Sequence, residues 1–580
     1  MAASCAGRLA ALRVEAGQFA FLTRHFFGRL FRNEIVDFED QMKERLIATL
    51  SVLAIVVFWS SELLLFKYHF VPDTGRSWQE KAYIYSVVMI IFGIVTLLEW
   101  DVLFPDRQDF LNLTPLPVRL RTIFAAKLAS FVLFIGLFSV AMNSGSSVLF
   151  AIYLAPWRAG ADLLFAARYL AAHIIGAFAA CFFVFFACIF LQLFLVALLP
   201  YRAYRKVSLF VRGVLVAGLI FLFLAFLVEP GILSSSFLSM ARLKDAGDPF
   251  LLRLPPLWFT GLYEKLLGTG DVMFGALART ALLAVLLSLA AFAAASGLSY
   301  RRYVRRTLET TWAKPWLSGL RDGWAGLFGR AVLRSPEERA VYGFFSQTIR
   351  SSQKQRITLT YFLAVAAGMI SLYIVANREG FRSLTPSNGS LLVQPLFLSF
   401  VILAGLRTVV NIPASPRANW VFEVAETGRT ARYAAGAKKA VFFRWLLPLA
   451  GLVLVTHAII WGFAPAFQHA LFGLTMGGLG LEAFFYHFRK VPFACASLPG
   501  KVKFQTWGVP LVILSLVFFA LTAAIEKSLL RRPSMLIVFF AAAACVWLAF
   551  GAGNRRFYRH AALIYEEQPE PALVTFPDAP

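Results

Sequence analysis

The segment from Leu170 to Leu199, LAAHIIGAFAACFFVFFACIFLQLFLVALL, decides the fold class of this chain. It contains no Asp, Glu, Lys or Arg, and a helix of about 20 apolar residues is long enough to cross a membrane. The whole chain has the same character, with 59% hydrophobic residues, only 15% charged residues and a mean hydropathy of +0.69. Such a composition excludes a soluble globular protein and predicts an all-α polytopic membrane protein.

Similar apolar segments recur along the chain and predict about twelve transmembrane helices. They form two sets of six, and because six is an even number both sets begin on the same side of the membrane, as in a parallel repeat. The predicted spans are 47–67, 82–103, 128–152, 170–199, 208–228, 271–298, 357–376, 391–410, 440–463, 467–486, 506–526 and 533–550.

The spans divide the chain into five parts. The first six-span half covers 47–298 and the second covers 357–550. A basic connector, 299–356, joins them, and its segment RRYVRR is expected to prolong the sixth span. Residues 551–580 are expected to form a cytosolic tail, and the part after Arg559, with EEQPEPALVTFPDAP, is expected to be disordered.

The amino-terminal part, 1–46, shows no cleavable signal peptide and is expected to stay in the cytosol. Its aromatic residues alternate with Arg24, Arg29 and Arg32, which favours an amphipathic helix in the membrane interface. Most Lys and Arg residues fall in segments on the same side as this end, so we expect both termini to be cytoplasmic. The net charge of +24 is spread over many short loops, which favours anionic membrane lipids over nucleic acid as the partner.

One loop pattern occurs twice, each time between the second and third spans of a half. The first copy, Phe104–Lys127, reads FPDRQDFLNLTPLPVRLRTIFAAK, and the second, Ser415–Lys439, reads SPRANWVFEVAETGRTARYAAGAKK. The matching positions are Arg107 with Arg417, Asp109 with Asn419, Phe110 with Trp420, Arg121 with Arg432, and Lys127 with Lys438. The repetition indicates a duplicated membrane bundle that carries an inner loop in each half.

The first copy, together with the amphipathic amino-terminal helix, resembles the corresponding part of ABC-2 type transporter permeases, here with two six-span halves fused. The residues that carry the resemblance are Asp109, Phe110, Leu111, Leu116, Pro117, Arg119, Arg121, Ala126 and Lys127. The second copy lacks Leu-Pro and has Glu423 and Glu426 where the first copy is apolar or neutral. The two loops are therefore not expected to be equivalent.

The resemblance implies an exporter of a hydrophobic or amphipathic molecule in the plasma membrane, the inner membrane of a bacterium. The chain has no Walker A sequence, so it is not expected to be an enzyme, and ATP and Mg are assigned to a separate ATP-binding subunit. The first loop is expected to dock on that subunit through Arg107, Asp109, Phe110, Leu113, Pro115, Pro117, Arg119, Arg121 and Lys127. The second-copy residues are Arg417, Asn419, Trp420, Arg432 and Lys438.

Ionisable residues within spans are costly, and they often mark a transport path. Four lie deepest in the predicted spans: His173, Arg279, His457 and Glu482. Neither the histidines nor the cysteines are spaced as in a metal site, so no metal is expected.

Two other functions remain open at this stage. A secondary carrier of the major-facilitator type needs coupling ions and deep carboxylates, but its usual glycine-rich loop after the second span is absent. A membrane-embedded lipid-modifying enzyme needs a cluster of acids or histidines, and the chain shows no such cluster beyond Glu99 and Asp101.

Overall fold

The computed structural model describes residues 15–28, 51, 54–70, 77–98, 100, 115–157, 162–228, 253–308, 332–377, 385–386, 389–414, 419–424, 426–494, 504–532 and 534–565. Within these ranges the regular structure is helical, apart from an isolated bridge between Lys490 and Ile564. This architecture confirms the all-α prediction. The chain divides into two compact units, Met1–Thr311 and Trp312–Pro580.

The first unit contains eight helices that the structure describes. Their bounds are α1 15–28, α2 Ala54–Leu65, α3 Trp78–Leu98, α4 Leu120–Leu154, α5 Leu163–Leu198, α6 Tyr201–Val228, α7 Pro255–Leu267 and α8 Val272–Leu308. The last of these continues through RRYVRR, as the sequence predicts.

The second unit begins, in its described part, with an amphipathic helix. Its helices are α9 Pro336–Ser351, α10 Gln353–Ala376, α11 Gly389–Val410, α12 Asn419–Val424, α13 Thr430–Val441, α14 Leu447–Trp461, α15 Phe463–Phe484, α16 Phe504–Arg531 and α17 Met535–Tyr558. A π-helical turn, Phe442–Leu446, joins α13 to α14 without a break.

In the described part of the chain, nine helices are long and apolar enough to cross a membrane. They coincide with nine of the predicted spans and establish a multi-pass membrane protein. The other three predicted spans correspond to the shorter helix α2 and to α15 and α16. The total of twelve spans stays a prediction.

The helices differ in how much of their surface lies inside the protein. Helix α3 lies inside the first unit: 78% of its most apolar 18-residue stretch is buried, and the helix packs against α5, α6 and α7. In α17 only 6% of the corresponding apolar stretch is buried. A helix that is apolar all round and exposed suits contact with hydrocarbon.

Helix α7 has thirteen residues, too few to cross a membrane, yet it lies buried among α3, α5 and α8. Its close approach to α8 depends on Gly261, because a Cβ there would lie 2.3 Å from the Cβ of Leu277. Helix α7 ends at Gly268, whose φ of 86° is in the left-handed region that favours glycine. Nearby, Arg168 Nε donates to the Leu266 carbonyl at 2.7 Å.

A buried ion pair joins α7 to α3. Lys81 Nζ lies 2.5 Å from Glu264 Oε1, and the two side chains are 0% and 3% exposed. The ammonium also lies 4.5 Å from the centre of the Tyr263 ring, and the Thr269 hydroxyl donates to Glu264 Oε2 at 2.7 Å. A charge buried this deeply depends on its partners, because desolvation is otherwise uncompensated.

We expect Glu264→Ala to lower the free energy of unfolding by about 3–5 kcal/mol, because it leaves the Lys81 ammonium buried without the carboxylate. The double variant Lys81→Met, Glu264→Leu removes both charges and should unfold at a higher temperature than Glu264→Ala. Thermal unfolding in one detergent measures both effects. Equal midpoints for the wild type and Glu264→Ala would contradict the role of this pair.

Candidate functional site

The first loop copy is described only from Pro115 onward. Arg107, Asp109, Phe110 and Leu113 lie outside the described residues. The segment Pro115–Pro117 is exposed, with Leu116 at 50% exposure, and it leads directly into α4. Each proline fixes its own φ and restricts the preceding residue, so the segment is stiff.

Helix α1 packs against the beginning of α4, where the first loop ends. Leu22 and Phe26 of α1 form a small buried cluster with Ile123 and Ala126 of α4. Lys127 is also buried, and its Nζ lies 5.4 Å from the centre of the Phe26 ring. This predicted docking residue therefore contacts the amino-terminal helix.

Polar contacts hold α1 beside the exposed proline segment. Arg119 Nη1 lies 2.6 Å from Glu15 Oε1, and Gln18 Nε2 donates to the Pro117 carbonyl at 3.2 Å. Most of the Arg119 side chain remains exposed. Arg121 lies in the first turn of α4, but its side chain is outside the described residues.

The second loop copy is described over most of its length. Arg417 lies outside the described residues, and Asn419 and Trp420 begin the short helix α12. Arg432 Nη1 lies 3.8 Å from Glu337, and Lys438 Nζ lies 2.6 Å from Glu482. The predicted cations of this copy thus have carboxylates of the same unit within reach.

The two halves share one packing arrangement. Val341 and Phe345 of α9 belong to the same hydrophobic cluster as Ala434 and Ala437 of α13, and the two helices pack together. In the alignment that matches Arg121 with Arg432, Ile123 matches Ala434 and Ala126 matches Ala437. In each half, therefore, the amphipathic helix that precedes the first described span packs against the helix that follows the loop.

Further residues of the chain cover the second copy but have no described counterpart on the first. The Tyr565 hydroxyl donates to Glu426 Oε2 at 2.8 Å, and the Thr430 hydroxyl donates to the Ala561 carbonyl at 2.8 Å. Burial raises the pKa of Tyr565, and the neighbouring Glu426 carboxylate raises it further. Phe422 also packs against the Phe344 ring at 5.0 Å. Parts of the second loop thus contact their own unit, while Val421 and Val424 remain exposed.

Glu337 lies at the start of α9 and faces the second loop. It is 3.3 Å from Arg429 and 3.8 Å from Arg432. Its pKa is lowered, first by the hydrogen bond from its own backbone amide, then by the Ser335 hydroxyl and by the two arginines. An anion in the first turn of a helix also interacts favourably with the helix dipole.

His173 is fully buried in the first unit, on α5. The Ser146 hydroxyl lies 3.2 Å from its Nε2. The imidazole stacks between the rings of Tyr85 and Phe150, at 5.5 and 5.0 Å. Nδ1 of His173 has no hydrogen-bond partner among the described residues.

The other predicted histidine, His457, is part of a cluster in the second unit. Its ring centre lies 4.7 Å from that of His469 on α15, and Trp461 packs beside both. His469 Nδ1 lies 2.5 Å from Glu526 Oε1, and both side chains are 1% exposed. Within the described residues, His469 Nε2 and Glu526 Oε2 have no hydrogen-bond partner. Sequence reasoning missed His469 because a lone histidine in an apolar span carries no pattern.

The remaining two predicted path residues lie apart from these clusters. Arg279 is exposed on α8, about two turns from the beginning of the helix, where a long side chain can extend toward the interface. Glu482, besides pairing with Lys438, accepts from Asn554 Nδ2 at 3.3 Å and lines a cleft of about 860 Å³. Among the described residues, no hydrogen bond, ion pair or ring contact joins His173 to Arg279 in the first unit or His457 to Glu482 in the second.

No group of three or more metal-ligating side chains occurs in the ranges that the structure covers. Comparisons of the chain with family models, curated proteins and solved structures find no match.

The lowered pKa of Glu337 predicts a pH-dependent contribution to stability. Because the folded state favours the carboxylate, the stabilisation is present above the ordinary pKa of 4.5 and is lost as the pH falls through the lowered folded value. The difference in thermal midpoint between the wild type and Glu337→Gln should therefore be largest at neutral pH and shrink below pH 4.5. Glu423→Gln, which changes an exposed carboxylate of the second loop, is the control and should show a smaller difference.

Proposed function

We propose that the chain is the permease subunit of an ABC-2 type exporter, energised by a separate ATP-binding subunit. The observation that carries the proposal is the packing of α1 on the beginning of α4, which positions the exposed Pro115–Pro117 segment at the end of the first loop. A subunit without its own ATPase needs a stiff element through which a partner can move its helices. The proposed cargo is hydrophobic or amphipathic, and the proposed location is the bacterial inner membrane with both termini in the cytoplasm.

The contacts around the first loop suit transmission of force. A displacement of the proline segment acts directly on α4, a continuous helix of 35 residues that packs along α5. Because Lys127 and Ile123 are buried against α1, the interfacial helix and the base of α4 are expected to move as one body. Closure of an ATP-binding dimer on this element is the proposed driving event for alternating access.

The second loop is assigned a different part in the mechanism. Its arginines, Arg429 and Arg432, face Glu337, and Tyr565 bonds to Glu426, so these side chains of the second loop are engaged within its own unit. We expect the ATP-binding subunit to be held mainly through the first copy.

The test is affinity isolation of the full chain from its native membrane in mild detergent, followed by identification of co-isolated proteins and an ATPase assay. We expect a Walker-bearing subunit to accompany the wild type, and at least a tenfold loss of that subunit with Phe110→Ala plus Leu113→Ala. Each truncation removes an apolar anchor from the docking loop, and such anchors carry most of the free energy at an interface.

Leu163→Ala plus Leu164→Ala is the matched control. These leucines are 89% and 77% exposed, and the predicted topology places them on the side away from the cytosol. The control should retain the partner. An active transporter isolated alone, without any ATP-binding chain, would refute the proposal.

A proton-coupled secondary carrier is the second candidate, and the His469–Glu526 pair favours it. Paired acids and histidines within spans occur in proton pathways. This pair is buried, and His457 lies beside it.

Proton movement into liposomes that contain only this chain separates the two candidates. A carrier should move protons when a membrane potential is applied, and Glu526→Gln should abolish that movement, whereas Glu423→Gln should not. If liposomes with the wild type and liposomes with the variant are both impermeable to protons, the carrier is excluded and the exporter remains as the function of this chain.

A further inference from the structure

The cleft beside Glu482 lies where three helices of the second unit end. The beginning of α13 with its π-helical turn, the end of α15 and the end of α17 form its walls. Its volume of about 860 Å³ is within the range of small-molecule sites. The distribution of Lys and Arg predicts that this end of the bundle faces the cytosol.

One wall of the cleft is a stripe along α17. Trp547, Gly551, Arg555 and Arg559 recur every four residues and therefore lie on one face of the helix. The stripe changes from apolar to basic toward the end of the helix. Trp547 is 56% exposed on a helix that is almost entirely unburied, so the apolar end of the cleft is continuous with the hydrocarbon-facing surface of this unit.

The cleft carries an excess of positive charge. Lys438 is paired with Glu482, and Lys439 lies 2.6 Å from Glu338. Arg555 and Arg559 are exposed, and no ion pair to either is found among the described residues. Two guanidinium groups one turn apart thus remain for an anion, and arginine forks match the oxygens of a phosphate group.

The opposite wall is aromatic and has an unusual backbone. Phe442 and Phe443 line the cleft from the π-helical turn. Pro448 follows the turn and lacks the N–H that would donate to the Arg444 carbonyl. Within the turn, the Leu447 N–H donates to the Phe442 carbonyl, which is the bonding pattern of a π-helix. Such turns occur often at functional sites. The arrangement provides an apolar surface beside the two arginines.

We infer that this cleft binds an anionic phospholipid from the cytosolic leaflet. The phosphate lies between Arg555 and Arg559, and the acyl chains extend along Trp547 and the two phenylalanines toward the hydrocarbon. The net charge of the lining, positive after its internal ion pairs, complements an anionic headgroup and not a zwitterionic one. This site is independent of the first loop and of any ATP-binding partner.

The experiment is native mass spectrometry of the full chain, equilibrated in detergent with phosphatidylglycerol and phosphatidylcholine. The wild type should retain phosphatidylglycerol in preference to phosphatidylcholine. Arg555→Gln plus Arg559→Gln should weaken that binding about thirtyfold, since each basic residue near an anionic lipid contributes on the order of a fivefold gain in affinity. Equal retention by the wild type and this variant would overturn the inference.

Arg531→Gln plus Arg532→Gln is the matched control. It removes the same charge from exposed arginines at the end of α16, which the predicted topology places on the other side of the membrane, and it should leave binding unchanged. Loss of binding in this control would show that net charge alone attracts the lipid and would overturn the assignment of the cleft.

A second binding measurement distinguishes a lipid site from a site for soluble phosphates. Trp547→Ala removes apolar wall and should weaken the binding of phosphatidylglycerol while leaving the weak binding of glycerol phosphate unchanged. If inorganic phosphate or glycerol phosphate instead binds as tightly as the lipid, the cleft is a site for a soluble anion and the lipid assignment is wrong. Equal thermal midpoints of the variants and the wild type establish that the changes are local.

Discussion

A polypeptide in hydrocarbon finds no water for its backbone N–H and C=O groups, so each group must be bonded within the protein. Long helices satisfy this constraint, and nine of the described helices are apolar over the length of a bilayer. The same constraint governs the side chains. Lys81 and Glu264 are paired, and so are His469 and Glu526, because an isolated charge in such surroundings would be very costly.

The two halves use one packing scheme and have diverged in the surfaces that surround it. In both, an amphipathic helix lies against the helix after the loop, through Leu22 and Phe26 in the first half and Val341 and Phe345 in the second. The first loop ends in an exposed proline segment, whereas the carboxyl-terminal Tyr565 contacts the second. Side chains of the second loop, such as Glu426, thus contact their own unit.

The ion pair of the first unit and the cleft of the second unit differ in their exposure. Helix α7 is held deep in the first unit by the ion pair of Glu264 and by the absence of a Cβ at Gly261. The cleft of the second unit is open and charged, with Arg555 exposed. The first arrangement gives a rigid element inside the bundle, and the second gives a surface that a mobile ligand can reach.

The sequence alone determined the fold class and the approximate positions of the nine spans that the structure bears out, since hydrophobicity over about 20 residues is a local property. It also determined the repeated loops, and it led to the amphipathic helix α1. The sequence did not indicate that Lys127 is buried under Phe26, that Glu264 meets Lys81, or that His469 meets Glu526. Those contacts join residues far apart in the chain, and a lone polar residue in an apolar segment leaves no periodic signal. Only the tertiary structure decides them, because a buried charge is stable only where a distant helix supplies its partner.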